Sequence, residues 1–478
     1  MFSAPHSCIS LWLDLLLKRN KEGRHKNSRE DAKKHHAKPQ RKTSDLCAFA
    51  FFATLREIIP LNFSFYNMTI SPTRLQQHFE LMSEIGKLGE TGTCRPAHSP
   101  EEKQAFTLAA SWMHEAGMTT RIDNFGNLIG HLEGSNSELP VLMLGSHLDS
   151  QPYGGRFDGV AGVLCAIEAI TTLTEQGIKP QRSIEVISFA DEEGWRFNKG
   201  LFGSRGILAR LEEGELKRTD KDGITREQAL KDFGCDPTKF ADSEYKPGSI
   251  FCFLELHIEQ GPILDLANKP IGVVSGISGP LWLTVKLKGM AGHTGSVPMR
   301  MRKDALVGAA EIIVAVNEIA NQVPGAETVG TVGTINVFPA SRNIIPEEVT
   351  FTVDLRDIDL DRRNRYEAQL LNVLEAVTQK HHLTYQVTED TNNPPRYCAG
   401  WLKDIIRNQC TAAGLDAPEL MSGPFHDALA LSYACDYGMI FIRCKDGISH
   451  NPLEYASYED LSLGAEVLYG TVLEVLGK

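Results

Sequence analysis

Two apolar runs, at residues 141–144 and 184–189, dominate the pattern of hydrophobic and polar positions along this chain. The first run leads into His147, and the second leads into the acidic pair Glu192 and Glu193, with a helix-length interval between the runs. Such runs are typical of buried strands, and ligands of open α/β sheets bind beyond the carboxyl ends of the strands. The pattern therefore predicts a parallel sheet with one polar site at its strand ends.

Between this region and the next lies a polar stretch, residues 207–229, in which the composition predicts helix with a break at residues 219–223. We expect this stretch to lie outside the sheet. The apolar run at residues 250–258, a strand or a helix, then leads into a second histidine-bearing segment, LELHIEQGP.

Apolar and polar residues begin to alternate after residue 275. The segment LWLTVKLKG alternates in this way, which predicts a strand with one face buried and the other in solvent. From this strand onward, the predicted order of elements is strand, helix, two strands, helix and strand. This is the order of the ferredoxin-like split unit. The later elements are helices over residues 303–323 and 362–380 and strands over residues 329–337, 348–354 and 383–388.

Taken together, these patterns predict an α/β fold with a mixed, largely parallel sheet flanked by helices, interrupted by an inserted α+β ferredoxin-like sandwich. We expect the catalytic domain to occupy residues 68–274 and 393–478 and the inserted domain to occupy residues 275–392. Residues 1–67 form a basic extension, with 12 Lys and Arg against 6 Asp and Glu. We interpret the extension as a disordered tail or as sequence upstream of the true start; a targeting segment is the alternative.

Charge and cysteine content narrow the function classes. The net charge of −12 and the lack of a basic stripe in the body of the chain argue against nucleic-acid binding. The apolar segments of the extension are too short to span a bilayer, so no membrane association is expected. The 10 cysteines are scattered without a CxxC pair, which favours reduced thiols and a cytoplasmic enzyme.

Histidines and acids with metal-ligand chemistry recur at the predicted strand ends. Imidazole and carboxylate without thiolate suit Zn²⁺, Mn²⁺, Co²⁺ or Ni²⁺, and several carboxylates could hold two ions instead of one. A single histidine or a pair of adjacent glutamates more often marks a solvated position, but here the residues converge on one predicted edge. The candidate ligands are His147, Asp158, Glu193, His257 and His450.

Two further acids have predicted roles beside these ligands. Asp149, two residues after His147, is placed to accept a hydrogen bond from the other imidazole nitrogen and so to set the tautomer. Glu192, next to a candidate ligand, is the natural general base, because it can take a proton from water and transfer it to a leaving amine.

Five segments of the chain closely resemble the hydantoinase/carbamoylase family of binuclear amidases. They read GSHLDSQPYGGRFDGVAGV, FADEEGWRFNKGLFGSRG, LELHIEQGP, GMAGHTGSVPMRMRKDAL and DGISHNP, and the resemblance runs from about residue 69 to the C-terminus. It implies two divalent metal ions per subunit, with Asp158 bridging, and a homodimer formed through the inserted domain.

The resemblance also implies a set of substrate-binding residues: Gln260, His293, Asn343, Arg356 and His426. His293 would steady the oxyanion, in this or the neighbouring subunit, and Asn343 and Arg356 would hold the substrate carboxylate. The alternative for Arg356 is an ion pair with a neighbouring aspartate.

One motif departs from the family pattern. The family shows SGAGHDA where this chain has SGPFHDA, so Pro424 and Phe425 replace a small pair while His426 is retained. We expect this change to narrow the substrate pocket.

The resemblance implies hydrolysis of the N-carbamoyl group of a small L-amino acid, a ureido carboxylate, to the free amino acid, carbon dioxide and ammonia. Allantoate and N-carbamoyl-β-alanine are alternative substrates of the same chemistry, and dipeptidase or aminoacylase activity is the alternative with a different bond. A binding protein that has lost its metals is the alternative from another class, which the complete ligand set disfavours.

Overall fold

The structure is a computed structural model that describes residues 69–477. The predictions made for the N-terminal extension lie outside the described residues. Among the residues described, no helix is both long and apolar enough to cross a membrane.

Helices and strands alternate through most of the chain. The α-helices are α1 (Pro72–Ser83), α2 (Pro100–Glu115), α3 (Val160–Glu175), α4 (Phe202–Gly206), α5 (Arg226–Phe233), α6 (Ile263–Leu266), α7 (Ala305–Ala320), α8 (Leu360–His381), α9 (Gly400–Ala412), α10 (Asp427–Leu431) and α11 (Tyr458–Leu476). The strands are β1 (Lys87–Leu88), β2 (Gly92–Thr93), β3 (Thr119–Ile122), β4 (Leu128–Leu132), β5 (Val141–His147), β6 (Ile184–Phe189), β7 (Ile250–Ile258), β8 (Ile271–Ile277), β9 (Gly279–Lys288), β10 (Val329–Thr331), β11 (Ile335–Phe338), β12 (Glu348–Asp357), β13 (Thr384–Asn392), β14 (Arg396–Tyr397), β15 (Glu419–Ser422) and β16 (Asp436–Ile442).

A nine-stranded mixed sheet carries the predicted strand ends. Its order is β14-β8-β16-β7-β5-β6-β4-β3, with β15 pairing with β8. The central strands β6, β5, β7 and β16 are parallel to one another, whereas β4, β3 and β14 join antiparallel. The predicted mixed α/β sheet is confirmed, and its parallel part is the centre.

The helix between the two central strands shows why this sheet is buried. Residues 160–173 of α3 are buried on every side, because the helix packs between the sheet and the helices α1 and α11. A helix that is apolar all round needs such an enclosed place. The centre of the sheet, which contains β5 and β6, is therefore covered by a buried helix.

A second, antiparallel sheet of five strands spans residues 279–392. Its order is β10-β12-β9-β13, with β11 also pairing with β12, and the helices α7 and α8 pack on it. Burial alternates along β9 and β12, as the sequence pattern predicts for strands with one buried face. The two sheets have separate hydrophobic cores. The domain boundaries remain a prediction.

The polar stretch after residue 207 differs from the prediction. It contains a 3₁₀ turn, Glu215–Lys217, where a helix was predicted. The helix α5 begins only at residue 226. Gly214 and Gly223 have left-handed backbone conformations, which interrupt a helix. Glu215 is buried and accepts hydrogen bonds from Arg205 and Arg226, so this segment is held by ion pairs instead of helical packing.

Candidate metal centre

Three neighbouring strands bring their polar residues to one edge of the nine-stranded sheet. The strands β6, β5 and β7 are adjacent and parallel, so their carboxyl ends lie side by side. His147 ends β5, Glu192 and Glu193 follow β6, and His257 lies near the end of β7. The convergence expected from the sequence follows from this topology.

The carboxylate of Asp158 lies at the centre of the cluster. Its Oδ1 is 3.5 Å from Nε2 of His147 and 3.2 Å from Nε2 of His257. Its Oδ2 is 3.2 Å from Nε2 of His450, and that nitrogen is 3.5 Å from Oε2 of Glu193. Two groups of three potential ligands therefore share Asp158, and within each group the donor atoms lie within 4.8 Å of one another.

The imidazole tautomers fit metal binding. Nδ1 of His147 lies 3.0 Å from the backbone carbonyl oxygen of Asp149, and Nδ1 of His257 lies 2.9 Å from that of Ile258. A carbonyl oxygen only accepts hydrogen bonds, so each Nδ1 carries a hydrogen and each Nε2, which faces Asp158, is the nitrogen that could bind a metal ion. This is the arrangement that metal-binding histidines adopt.

The charge balance of the cluster also fits bound cations. The carboxylates around His147 raise its pKa well above the ordinary value, although burial opposes this. A hydrogen bond to Asp158 likewise raises the pKa of His450 to about 9. Because the surrounding carboxylates favour positive charge here, a site of this composition suits divalent ions.

Asp149 contacts the cluster differently from the prediction. Its carboxylate Oδ1 is 3.7 Å from Nδ1 of His147, farther than its own backbone carbonyl. The carboxylate instead accepts hydrogen bonds from the backbone amides of Glu192 and Glu193, at 3.3 Å each. The residue predicted to orient His147 does so through its main chain, because its side chain holds the acidic loop.

Glu192 is buried beside the two groups of potential ligands. Its Oε2 lies 3.6 Å from Nε2 of His147. Burial raises the pKa of Glu192 well above its ordinary value, and the carboxylates of Asp427 and Glu193 act in the same direction. A carboxyl group in such surroundings can both accept and return a proton, as a general base must.

Glycine is required where the Asp158 loop approaches the histidine. Gly159 has a φ of +66°, and a Cβ atom there would lie 2.4 Å from Cε1 of His147. The last position of the motif GGRFDG therefore requires glycine, because a side chain there would prevent the loop backbone from lying against the imidazole.

Two residues that sequence reasoning missed position Asp158. Glu454 accepts hydrogen bonds from the backbone amides of Phe157 and Asp158, at 2.9 and 3.0 Å. The hydroxyl of Ser449 lies 2.8 Å from Oε2 of Glu454 and 3.1 Å from Oδ2 of Asp158. Burial raises the pKa of Glu454 to about 7. In the sequence, the local signal for this role is no more than an acidic residue four positions after His450.

A buried ion pair between Arg226 and Asp191 holds the loop that carries Glu192 and Glu193. Arg226 is fully buried and donates to Asp191 at 2.6 Å and to the carbonyl of Lys199 at 2.8 Å. Asp191 has a left-handed backbone, which is uncommon for a residue with a side chain. Arg226 therefore secures a bent loop from the stretch that the sequence placed outside the sheet.

A cavity of about 990 Å³ opens beside the cluster, between the two sheets. Its walls include Gln260, whose Nε2 donates to Asp158 at 2.8 Å, and His426, whose ring centroid lies 4.4 Å from that of His257. Arg356 enters the cavity wall from β12. Three of the predicted substrate residues therefore share one cavity with the candidate ligands.

Arg356 has protein partners inside this cavity. Its guanidinium forms a salt bridge with Asp354, at 2.8 Å, and donates to the carbonyl of Gly423 at 2.8 Å. The ion pair considered as the alternative from the sequence is therefore present. Because Arg356 also lines the cavity, the ion pair does not remove it from the reach of a ligand.

The remaining two predicted substrate residues do not line the cavity among the residues described. His293 and Asn343 are exposed and lie close together, since the amide of Thr294 donates to the carbonyl of Asn343 and His293 pairs with Ile344. Their side chains point to no part of the cluster within this chain, so their roles stay a prediction.

The chain is similar to known metal-dependent hydrolases along most of its length. Residues 143–474 match the family described as Peptidase family M20/M25/M40. The chain is 46% identical over 409 residues to an N-carbamoyl-L-amino-acid amidohydrolase of Pseudomonas sp. (strain NS671), covering 85% of this chain and 99% of that protein. It is 34% identical over 422 residues to an allantoate deiminase of Arabidopsis thaliana, covering 80% of this chain and 78% of that protein.

Solved structures match the fold as well. An amidase of the hydantoinase/carbamoylase family from Burkholderia multivorans superposes with a TM-score of 0.79 at 33% identity, covering 86% of this chain and 98% of the other. The sequence resemblance to that family is confirmed by this similarity.

Proposed function

The chain belongs to peptidase family M20/M25/M40, and from that premise we propose that it hydrolyses the N-carbamoyl group of a small L-amino acid. The products are the free amino acid, carbon dioxide and ammonia, and the bond broken is a C–N bond outside a peptide. The observation that carries the proposal is the shared Asp158 between two potential ligand groups, with Glu192 beside them in a cavity that also holds Arg356.

We propose that two divalent ions bind per subunit, Zn²⁺ or Mn²⁺, with Co²⁺ or Ni²⁺ also compatible with the donors. His147, Asp158 and His257 would hold one ion, and Asp158, Glu193 and His450 the other. When bound, such ions polarise the ureido carbonyl and activate the attacking water.

The roles of the side chains follow from their positions. Glu192 takes a proton from the attacking water and transfers it to the leaving nitrogen. Oε1 of Gln260 is buried and has no hydrogen-bond partner among the described residues, so it can accept from a ureido N–H. The guanidinium of Arg356 pairs with the substrate carboxylate, and His426 contributes to the cavity wall beside His257.

We further propose that the chain forms a homodimer, in which His293 and Asn343 complete the site of the partner subunit. The exposed position of both residues supports this role, because in a single chain they contact no part of the cavity described here. Exposed apolar side chains near them support a contact surface on the five-stranded sheet region. They are Met290, Met299, Met301, Ile335 and Phe338.

A cytoplasmic location is part of the same proposal. Eight free cysteines lie within the described residues, most of them buried. Unpaired thiols in this number suit a reducing compartment.

Allantoate is the second candidate substrate, because a relative covering most of this chain is named an allantoate deiminase. Allantoate also offers a ureido group and a carboxylate. N-carbamoyl-β-alanine and dipeptides are the remaining alternatives from the sequence.

A substrate panel tests the proposal. The purified protein is treated with a chelator, and turnover of N-carbamoyl-L-methionine, N-carbamoyl-β-alanine, allantoate and a dipeptide is measured before and after Mn²⁺ or Zn²⁺ is added. We expect no turnover without metal and recovered turnover of the N-carbamoyl-L-amino acid with it. Turnover of the dipeptide alone, or of nothing, contradicts the proposal.

A further inference from the structure

The loop between β15 and α10 places an aromatic ring in the cavity wall. It contains the SGPFHDA segment, in which Phe425 stands where the hydantoinase/carbamoylase pattern has glycine. Phe425 is half-buried and lines the cavity. The ring therefore occupies space that a glycine would leave open to a ligand.

The backbone of this loop is held firmly. The hydroxyl of Ser422 donates to the carbonyl of Pro424 at 2.9 Å and lies 2.8 Å from Nε2 of His426. The carbonyl of Gly423 accepts from Arg356 at 2.8 Å and from the hydroxyl of Ser278 at 3.2 Å. Because both ends are bonded and proline restricts the middle, the loop presents Phe425 in one place.

Phe425 adjoins both parts of the site that are proposed to hold a substrate, one through the chain and the other through space. On one side, the next residue, His426, packs against His257 of the metal centre. On the other side, the guanidinium carbon of Arg356 is 5.4 Å from the centroid of the Phe425 ring and 5.9 Å from that of Trp282. A substrate that reaches from the metal centre to Arg356 therefore passes the Phe425 ring.

We infer that Phe425 is a specificity-determining residue, a role that rests on the proposed function: it favours N-carbamoyl amino acids with an apolar side chain over allantoate. The α-carbon of the substrate lies between the ureido group and the carboxylate, so its substituent meets the aromatic wall. An apolar substituent gains contact with the rings of Phe425 and Trp282.

Allantoate carries a second ureido group at that α-carbon. The N–H and carbonyl groups of this substituent lose water against a phenyl ring without gaining hydrogen bonds, which disfavours binding. Leu429 and Ala430, which also line the cavity close to Phe425 in sequence, add apolar surface there. We expect a preference of about 10- to 100-fold in kcat/KM, the range for a polar group left unpaired in a binding site.

Restoring the family residues tests this role. The value of kcat/KM is measured for N-carbamoyl-L-methionine and for allantoate with the metal-loaded wild-type enzyme, with F425G and with the double variant P424A/F425G. We expect the ratio between the two substrates to fall by about 10- to 100-fold in both variants, mainly through KM. The matched control is Tyr385→Ala, which truncates an exposed aromatic residue of β13 outside the cavity and should leave the ratio unchanged.

A second variant covers the case in which the glycine variants do not fold, as judged by their thermal unfolding. F425N keeps a side chain of intermediate size but offers hydrogen-bonding groups, so we expect it to raise kcat/KM for allantoate relative to N-carbamoyl-L-methionine. An unchanged ratio in the folded variants overturns the role of Phe425 and leaves the proposed function intact. A wild-type preference for allantoate overturns the role of Phe425 and also favours allantoate, the second candidate substrate, over the N-carbamoyl amino acid. Failure of the wild type to hydrolyse any ureido substrate instead overturns the proposed function.

Discussion

The residues expected to act on the substrate fall into two regions that differ in how they are held. The candidate ligands at the ends of β5, β6 and β7 converge around Asp158, and His147, Asp158 and His257 are buried. His293 and Asn343, in the five-stranded sheet region, are exposed and contact no part of the cluster. The candidate ligands of the first region group together within one chain, whereas the two residues of the second region do not line the cavity of that chain.

The difference has a physical cause. The ligands are attached to adjacent strands of one sheet, and the loops after those strands are clamped by buried carboxylates and by Arg226. Charged groups in such a low-dielectric interior interact strongly, so small displacements are opposed. At His293 the contacts are local and exposed: a backbone pairing with Ile344 and a hydrogen bond from the amide of Gly295 to Nδ1 of His293, at 3.1 Å.

The largest effect is expected from Glu192→Gln. Loss of the general base should lower kcat by about 10²- to 10⁴-fold, because glutamine cannot take a proton from water. Glutamine has nearly the same shape, so metal content should stay near that of the wild type. Steady-state kinetics and metal analysis of the same preparation test this.

A matched control for this variant lies in the same cavity. Glu212 lines the cavity and pairs with Lys199 at 2.7 Å, away from the ligand groups. Glu212→Gln should therefore leave kcat within a small factor of the wild-type value. Normal turnover by Glu192→Gln would remove Glu192 from its role as base.

His293→Ala tests whether the second region takes part in the reaction at all. If His293 steadies the oxyanion in the partner's site, its loss should lower kcat by about 10²- to 10³-fold with little change in metal content. An effect on KM alone would exclude that role.

Mixing two inactive variants shows which subunit His293 serves. A heterodimer of Glu192→Gln and His293→Ala contains one site with both residues intact, if His293 acts across the interface. Random exchange of subunits should then restore about a quarter of the wild-type activity, since half of the dimers regain one of two sites. No recovery under conditions in which subunits exchange would place His293 in its own subunit's site or in none.

The grouping of candidate ligands could be predicted from the sequence because its signals are local. One apolar run is followed within a few residues by His147, and another is followed within a few residues by Glu193. The parallel topology then brings them together without further information. His450 does not directly follow such an apolar run, and it is a candidate ligand through its residue type.

Other parts of the site depend on contacts between distant segments. Glu454 accepts a hydrogen bond from the amide of Asp158 across almost 300 positions of sequence. Arg226 reaches the acidic loop from a stretch that the sequence pattern predicts to lie outside the sheet. The sequence alone does not distinguish a buried charged residue from an exposed one, because burial depends on the whole fold. The contacts of Asp149 depend on the fold in the same way: its carboxylate accepts from the amides of Glu192 and Glu193 and lies 3.7 Å from Nδ1 of His147, so its predicted role stays a prediction.

Glu454→Gln should weaken the clamped region without touching a candidate ligand. Both backbone amides of the Asp158 loop donate to Oε1 of Glu454, and the hydroxyl of Ser449 donates to Oε2. Glutamine can keep the first oxygen but loses the negative charge, and its NH2 group cannot accept from Ser449. We expect metal affinity to fall by about 10- to 100-fold, as for other residues that orient ligands. Metal titration of the chelated protein measures it, with the exposed Glu459→Gln as control; equal affinities would show that Glu454 is only structural.

The smallest effect is expected when the pH is lowered. This change compares the stability of the two regions directly. His98 is buried beneath the acidic loop, with its ring 6.4 Å from that of Phe197 and 6.1 Å from that of Phe202. Burial lowers the pKa of His98 from the ordinary 6.5 to about 3. Between these two values the unfolded chain binds a proton that the folded protein does not, so stability falls as the pH is lowered through this window.

Lowering the pH from 7 to 5 should therefore cost about 2 kcal/mol of unfolding free energy through His98 alone. His98→Asn removes this contribution, and asparagine tolerates the left-handed backbone at this position. Urea unfolding of both proteins at the two pH values isolates the difference, because all other titrating groups are shared. Hydrogen exchange should rise first in residues 190–203 and later in β12 and α8, since the rings that His98 contacts, those of Phe197, Phe202 and Phe233, belong to the part of the chain with the nine-stranded sheet. If the wild type and His98→Asn lose equal stability between pH 7 and 5, His98 is not the group that makes the metal-binding region the more acid-sensitive of the two.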